Sequence, residues 1–213
     1  MSSLLVDSHH IDQALTRVGD LLSAEGFTVS VAILGGAALN LLGIIERATR
    51  DVDVLAIGHP SGERPTYIGP PDEHLPSPLR QAVAIVGKDF GLLPDWMNTG
   101  PALQWKQGLP PGLETRVHWK LYGDPRQGGL WVGLIDRFDL IFFKLFAATD
   151  STGPNSVHYQ DLVALAPTAI ELDQAITWVH DQDASASFHD VLKQVAGLLR
   201  HDLDIEPEDD DAD

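Results

Sequence analysis

Two aspartates one residue apart, Asp51 and Asp53, open an apolar run, D-V-D-V-L-A-I-G, and a glycine pair, Gly35-Gly36, closes the apolar run before it, V-A-I-L-G-G. In an extended strand the side chains alternate faces, so both carboxylates would project the same way from Cα atoms ~7 Å apart and could share a divalent ion. Glycines between a strand and a helix let backbone amides approach a phosphate with no Cβ in the way, and the helix dipole favours the negative charge. Alone the glycine pair says little, because such a turn needs glycine anyway. Together with the Asp-x-Asp it points to a metal-bound nucleotide, since magnesium prefers one or two carboxylates plus substrate phosphates.

These residues need a sheet end to hold them. Ile11, Leu15, Val18 and Leu22 recur at helical spacing after Asp7-Ser8, which predicts an amphipathic helix over residues 8–25. Residues 27–34 read as the first strand, 37–42 as a short helix and 49–57 as the second strand, with its charge confined to the first turn as in a strand covered on both faces. The proline- and glycine-rich stretch 58–78 reads as a long loop over the site mouth. Ser77-Pro78 supplies a cap and a first-turn proline to a third helix over 79–90. Residues 93–112 read as irregular, with Trp96 and Trp105 docking the loop on the core. Residues 114–122 and 130–135 have strand character and are separated by glycine-rich turns, as in a hairpin. From residue 138 the pattern is helical: 138–149, 157–165, a helix to His180 introduced by the capping box Thr168/Glu171, and a final helix striped by Phe188, Leu192, Val195 and Leu199. The order predicts an α+β fold, a small mixed sheet followed by a C-terminal helical bundle, divided as residues 1–136, 137–201 and a tail, 202–213.

With 14 Lys and Arg against 31 Asp and Glu and no cysteine, the chain has a net charge of -17 and can form neither disulfides nor thiolate metal sites. A reducing, cytoplasmic location is the expectation. No secretory signal is visible and no apolar run approaches the ~20 residues that span a bilayer, so no membrane partner is expected. Residues 202–213 hold 8 acids and no base. They read as a disordered, solvating tail, with shielding of a basic partner site as the alternative. The acidic body disfavours an extended phosphate-gripping surface, although Arg47, Arg50, Lys106, Lys120 and Lys144 could assemble a local basic patch.

The sequence G-G-A-A-L at 35–39 followed by R-D-V-D-V at 50–54 resembles the signature of the nucleotidyltransferase superfamily related to DNA polymerase beta. Over roughly residues 10–200 the chain is similar, more narrowly, to bacterial nucleotidyltransferase-like proteins that include the toxin halves of abortive-infection toxin–antitoxin pairs. The narrower likeness rests on Trp96-Met97-Asn98, the helix carrying Lys144, and Y-Q-D-L-V-A-L at 159–165. The resemblance implies a nucleotidyltransferase-like core over 1–136 and an enzyme that moves a nucleoside monophosphate from an NTP to an acceptor hydroxyl on tRNA, protein or a small molecule. Asp51 and Asp53 would hold two Mg2+ ions, Gly35 and Gly36 would cradle the phosphates, and pyrophosphate would leave by in-line displacement. Lys144 and Asp161 match active-site residues of the toxin-like relatives, where the lysine meets the phosphates, and an antitoxin protein becomes a candidate partner. The chain departs from the pattern twice. Ala37 stands where many members have serine, and no third carboxylate is obvious, the nearest candidate being Glu114 at the start of the third expected strand. The alternative is a catalytically inactive nucleotidyltransferase-fold protein serving as a nucleotide-binding or protein-interaction module.

Lys144 carries two readings on its own chemistry. It is the only charge between residues 140 and 149, and lysine is rarely buried alone. Either it pairs with Asp161 and joins two helices, or its ammonium reaches a cavity. The histidines show no zinc spacing, and no G-x-S-x-G, Walker or Rossmann pattern occurs.

Overall fold

Asp7 accepts a hydrogen bond from the His10 amide at 2.8 Å and so starts helix α1, Ser8–Ala24, whose Ile11, Leu15, Val18 and Leu22 are buried as their spacing predicts. Strand β1, Thr28–Leu34, follows after a short turn, and only Thr28 of its seven residues is exposed. The computed structural model describes residues 7–61, 64–68, 74–105, 107–151 and 153–205. It divides into two compact units, Met1–Trp105 with Pro111–Asp136, and Lys106–Pro110 with Arg137–Asp213.

The first unit is built on a mixed sheet. Helix α2, Gly35–Leu41, connects β1 to β2, Val52–Ser61, which returns antiparallel to β1. β2 then turns back as β3, Arg64–Ile68, so the stretch expected to be a loop from residue 58 is a strand extension and a hairpin. Pro60 lies opposite Pro65 there, and the ladder shifts register between His59 and Pro60. Proline has no N–H to give to a ladder, so an edge hairpin with a register shift is where a sheet tolerates two of them. Residues 62, 63 and 69–73 of the same stretch lie outside the described residues.

Helix α3, Ser77–Phe90, begins one residue earlier than its sequence suggests: Pro76 occupies the cap position and makes no side-chain hydrogen bond, while Ser77 is helical. The irregular stretch expected after it contains a two-residue strand, β4, Met97–Asn98, which runs parallel to the first residues of β2. The expected third strand is shorter than predicted. β5 spans His118–Tyr122, and the residues ahead of it form a 3-10 turn, Leu113–Thr115, in which Glu114 is exposed. β6, Gly129–Leu134, completes the predicted hairpin with β5 and pairs in parallel with β1. The sheet order is β3-β2-β1-β6-β5, with β4 beside the opening residues of β2.

α1 is fastened to β5 by one carboxylate: Asp12 Oδ1 accepts from Lys120 Nζ at 2.5 Å and from the Tyr122 hydroxyl at 2.8 Å. Burial pushes the Asp12 carboxyl up, but the hydrogen bonds from Lys120 and Tyr122 outweigh it and hold it below the usual range; burial and Asp12 together push the Tyr122 phenol up.

Among its described residues the second unit holds four α-helices: α4, Arg137–Asp150; α5, Val157–Leu165; α6, Ala169–Gln182; and α7, Ala186–Asp202. Its core is aromatic, with Phe142 and Phe143 both edge-on to Trp178 and Phe146 against Phe188. The predicted capping box is present, Thr168 and Glu171 each bonding the other's backbone. Helix α7 runs to Asp202, whose carboxylate accepts from the Tyr159 hydroxyl at 2.7 Å, so the first residue assigned to the tail is helical. Residues 206–213 lie outside the described residues. The fold is α+β, a small mixed sheet and a helical C-terminal part, and among the described residues no helix is long and apolar enough to cross a membrane.

Candidate functional site

The end of β1 and the start of β2 meet where the sequence placed its chemistry. Gly35 has φ +78°, a conformation that costs any residue with a Cβ, and a Cβ there would collide with Asp53 Oδ2. The Asp53 carboxylate therefore rests on the glycine turn. Asp53 is the second residue of β2 and lies opposite Leu34 of β1. Asp51 sits one residue ahead of the strand, and both aspartates are partly exposed. Beside the second glycine, a Cβ on Gly36 would come within 2.9 Å of Thr49 Oγ1 and 3.5 Å of an Arg47 guanidinium nitrogen. Thr49 donates in turn to the Asp51 carbonyl at 3.3 Å. Ala37, the position lacking a serine hydroxyl, is fully buried.

Asn40, Asn98 and Trp96 hold the segments that carry these positions, and of the three it is Asn40 that sequence inspection passed over. Asn40, buried in α2, donates from Nδ2 to the Gly36 and Arg47 carbonyls, each at 2.9 Å, and accepts the Arg47 amide at 3.3 Å. One amide thus folds residues 42–47 back along α2 and sets Arg47 beside Gly36. Its only trace in the sequence is a lone polar residue inside A-A-L-N-L-L. Asn98 of β4 lies directly across from Asp53. Its Oδ1 accepts the Gly100 amide at 2.8 Å and its Nδ2 donates to the Asp95 carbonyl at 3.4 Å. Trp96 anchors this segment: its indole is fully buried and donates to the Val83 carbonyl at 2.9 Å, while its own carbonyl accepts the Val52 amide at 2.6 Å. The expectation that Trp96 docks the segment on the core holds.

The search for a third carboxylate on a later strand ends in a correction. Glu114 is not on the strand, and β5 carries no acid in H-W-K-L-Y. β1 and β6 also separate β5 from β2, and three strand spacings of about 4.8 Å put a β5 side chain ~14 Å away, beyond reach of an ion shared with Asp53. The strand that does neighbour Asp53 offers the Asn98 amide.

The donor set near Gly35 suits a hard cation. A carboxylate resting on a glycine turn would repel a phosphate brought to the same turn, and a divalent ion between them removes the repulsion. Among the described residues no group of three or more His, Asp or Glu forms a closed metal cage, so a cation here would draw further ligands from phosphates and water. Because α2 has seven residues, its dipole adds little, and the positive charge nearest the glycines is Arg47.

Lys144 and Asp161 meet in the second unit. Lys144 Nζ lies 2.7 Å from Asp161 Oδ2, and the two side chains are 6% and 2% exposed. Their contact joins α4 to α5, the first of the two readings of Lys144. A second acid of α4, Asp139, is completely buried and was overlooked because it stands just outside the apolar run. The basic patch suggested by composition is thinned accordingly: Lys144 is sealed against Asp161, Lys120 is held by Asp12, and Lys106 lies outside the described residues. The chain matches no protein-family model, no curated protein and no solved structure.

Proposed function

We propose that the protein is a magnesium-dependent nucleotidyltransferase that moves a nucleoside monophosphate from an NTP to an acceptor hydroxyl. One observation carries the reading: a partly exposed carboxylate, Asp53, rests on the left-handed Gly35 turn with the Arg47 guanidinium beside Gly36. Asp51 and Asp53 would hold the metal, which supplies charge neutralisation for the triphosphate and the leaving pyrophosphate. Gly35 and Gly36 offer backbone without Cβ atoms to the phosphates, and Arg47 adds a fixed positive charge. The acceptor oxygen bonds to the α-phosphorus, the α–β phosphoanhydride bond breaks, and the hydroxyl proton passes to a base. Lys144 and Asp161 belong to this reading through the family resemblance. So do a toxin-like role, an antitoxin-like protein partner and a choice of tRNA, protein or small-molecule acceptor. The cytoplasmic location has the additional support of a cysteine-free chain.

Mg-NTP should raise the melting temperature of the native chain, and Asp53→Ala should abolish the rise while changing the ligand-free stability by less than about 1 kcal/mol, because the side chain is partly exposed. No rise with any of the four NTPs would count against the reading.

A second reading has its own observation. The strand beside Asp53 presents Asn98, an amide, where a carboxylate could have shared the metal and taken the proton. That favours a nucleotide-binding or protein-interaction module without turnover. Incubation with labelled NTPs and cell extract separates the two: Asp51-dependent transfer of label excludes the inert module, whereas an Mg-NTP melting shift without transfer supports it.

A further inference from the structure

The two faces of the sheet in the first unit are paved differently. Side chains at matched positions of neighbouring strands share a face, as do alternate residues of one strand. On β1 that groups Ser30, Ala32 and Leu34; opposite them stand Trp131 and Gly133 on β6, and Ala56 and Asp53 on β2. Trp119 and Leu121 of β5 stand in turn opposite Gly133 and Trp131. Lys120 and Tyr122, which alternate with them, bind Asp12, so α1 lies on the other face. Asp53 reaches the tryptophan face through the register shift between Ala32 and Ile33: β2 carries one extra residue there, which brings Asp53 to the same side as Ala56.

Small residues let the indole of Trp119 lie low over the strands. A Cβ on Gly133 would come within 2.9 Å of its Cε3, and a Cβ on Gly58 within 2.7 Å of its Cη2. Glycine weakens a strand interior and marks a place where another group approaches closely. The Cβ of Ser30 is 2.8 Å from that same point above Gly58, so the Ser30 side chain and the indole edge crowd one spot. Ser30 is 3% exposed, and its Oγ is buried without a hydrogen-bond partner. A buried hydroxyl left unpaired is costly, and a polar ligand atom removes that cost. Trp119 and Trp131 are both partly exposed, so aromatic surface and an unsatisfied hydroxyl meet on the face that carries Asp53.

The distance between these groups selects the ligand. Trp119 stands opposite Gly133, and Gly133 opposite Ala32, which is ~7 Å along the strand from Leu34 and its partner Asp53. The indole edge extends to the level of Ser30, ~13 Å from the same end. A nucleoside joined to phosphates at Gly35 covers that span. Every base also has a π-face that stacks on an aromatic side chain.

We infer that the nucleoside of the NTP lies on this face of the sheet, its base stacked on Trp119 and one of its polar atoms bonded to Ser30 Oγ. Ser30 lies beneath the indole edge, so the base reaches it by displacing that edge toward β5. Stacking tolerates any base and supplies affinity, while a hydroxyl that both donates and accepts adds a contact to the base edge. The inference rests on the nucleotide reading above and adds the part of the site that tells a nucleotide from a bare triphosphate.

The test measures, by calorimetry with Mg2+ and the full chain, the binding of two probes: inorganic tripolyphosphate, and whichever of the four NTPs raises the melting temperature most. The native chain should bind the NTP about tenfold more tightly than tripolyphosphate. Trp119→Leu should remove that preference and leave tripolyphosphate binding where it was. Ser30→Ala is the second variant, because it opens no large cavity. Its ligand-free melting temperature should stay level or rise, since an unsatisfied hydroxyl is gone, while NTP binding weakens about threefold and tripolyphosphate binding does not. If Trp119→Leu loses both probes it is misfolded, and Ser30→Ala decides. If both probes bind the native chain and neither substitution affects the NTP more than tripolyphosphate, the inference is overturned and the phosphate site stands. If neither probe binds the native chain, the nucleotide reading fails and this inference falls with it.

Discussion

The two groups of charged residues that the sequence singled out end in opposite environments. Asp51 and Asp53 stand partly exposed at a strand start, with backbone glycine on one side and an asparagine amide on the next strand. Lys144 and Asp161 are almost fully enclosed and bonded to each other. The enclosed pair answers its own charge, so its first contribution is to the helices it joins. The acids at the glycine turn are only partly covered, so a bound ligand can reach them. A buried charge pair and an open carboxylate look alike as letters, and their surroundings separate them.

The largest effect should come from breaking the enclosed pair. Asp161→Ala leaves an ammonium buried without its partner and should cost about 3–5 kcal/mol in denaturant unfolding, whereas Lys144→Met combined with Asp161→Leu should recover most of that loss. If the single variant is as stable as the native chain, the pair is not structural. At the open site, Gly35→Ala forces a Cβ into the left-handed region and onto Asp53, which should cost about 1–3 kcal/mol and remove any Mg-NTP melting shift. A Gly35→Ala chain that keeps that shift would show that the turn does not touch the nucleotide.

A third ion pair lies between these extremes. Arg137 binds Glu171 at 2.7 Å and also donates to the Leu165 and Ala166 carbonyls, with both side chains part exposed. The Arg137 hydrogen bond holds the Glu171 carboxyl below its usual value against the opposing effect of burial. A lowered carboxyl pKa gives stability that is present above the unfolded value, about 4.3, and is lost as pH falls through the folded one. Between pH 5 and pH 3 the native chain should therefore lose stability that Glu171→Gln does not, by under about 1 kcal/mol for so exposed a pair. Equal acid sensitivity of the two chains would remove the assignment.

What could be read in advance divides along physical lines. Helix α1, the capping box at Thr168 and the stripe of α7 were legible because apolar periodicity and local caps are written in neighbouring residues. The Gly35 turn beside Asp53 was legible because a strand, a glycine pair and an alternating acid pair leave few other arrangements. The hairpin of β2 and β3 was not, since two prolines mask strand character unless the register shift is known. Asn40 was missed for a different reason: its side chain ties the Gly36 and Arg47 carbonyls and the Arg47 amide, and only the fold shows that the chain turns back there. Asn98 was legible as part of a motif, but its place across from Asp53 follows from strand register, which has no local signature. Glu114 was expected on a strand and lies in a 3-10 turn because the strand begins four residues later, at His118, and strand order, which decides what β5 can reach, has no local signature.

The parallel pairing of β1 with β6 has a consequence for the time before the fold is complete. β1 finds β2 within a few dozen residues of chain, but its other edge waits for β6, about a hundred residues later, where Thr28 meets Gly129. Until then T-V-S-V-A-I-L presents an uncharged, proline-free strand edge, with most of its side chains destined for burial. That is the kind of segment that pairs with another copy of itself. During synthesis the chain is most vulnerable to aggregation in the interval between making Leu34 and making Gly129, and the strand that leads into the candidate site is the one that must be kept from pairing elsewhere.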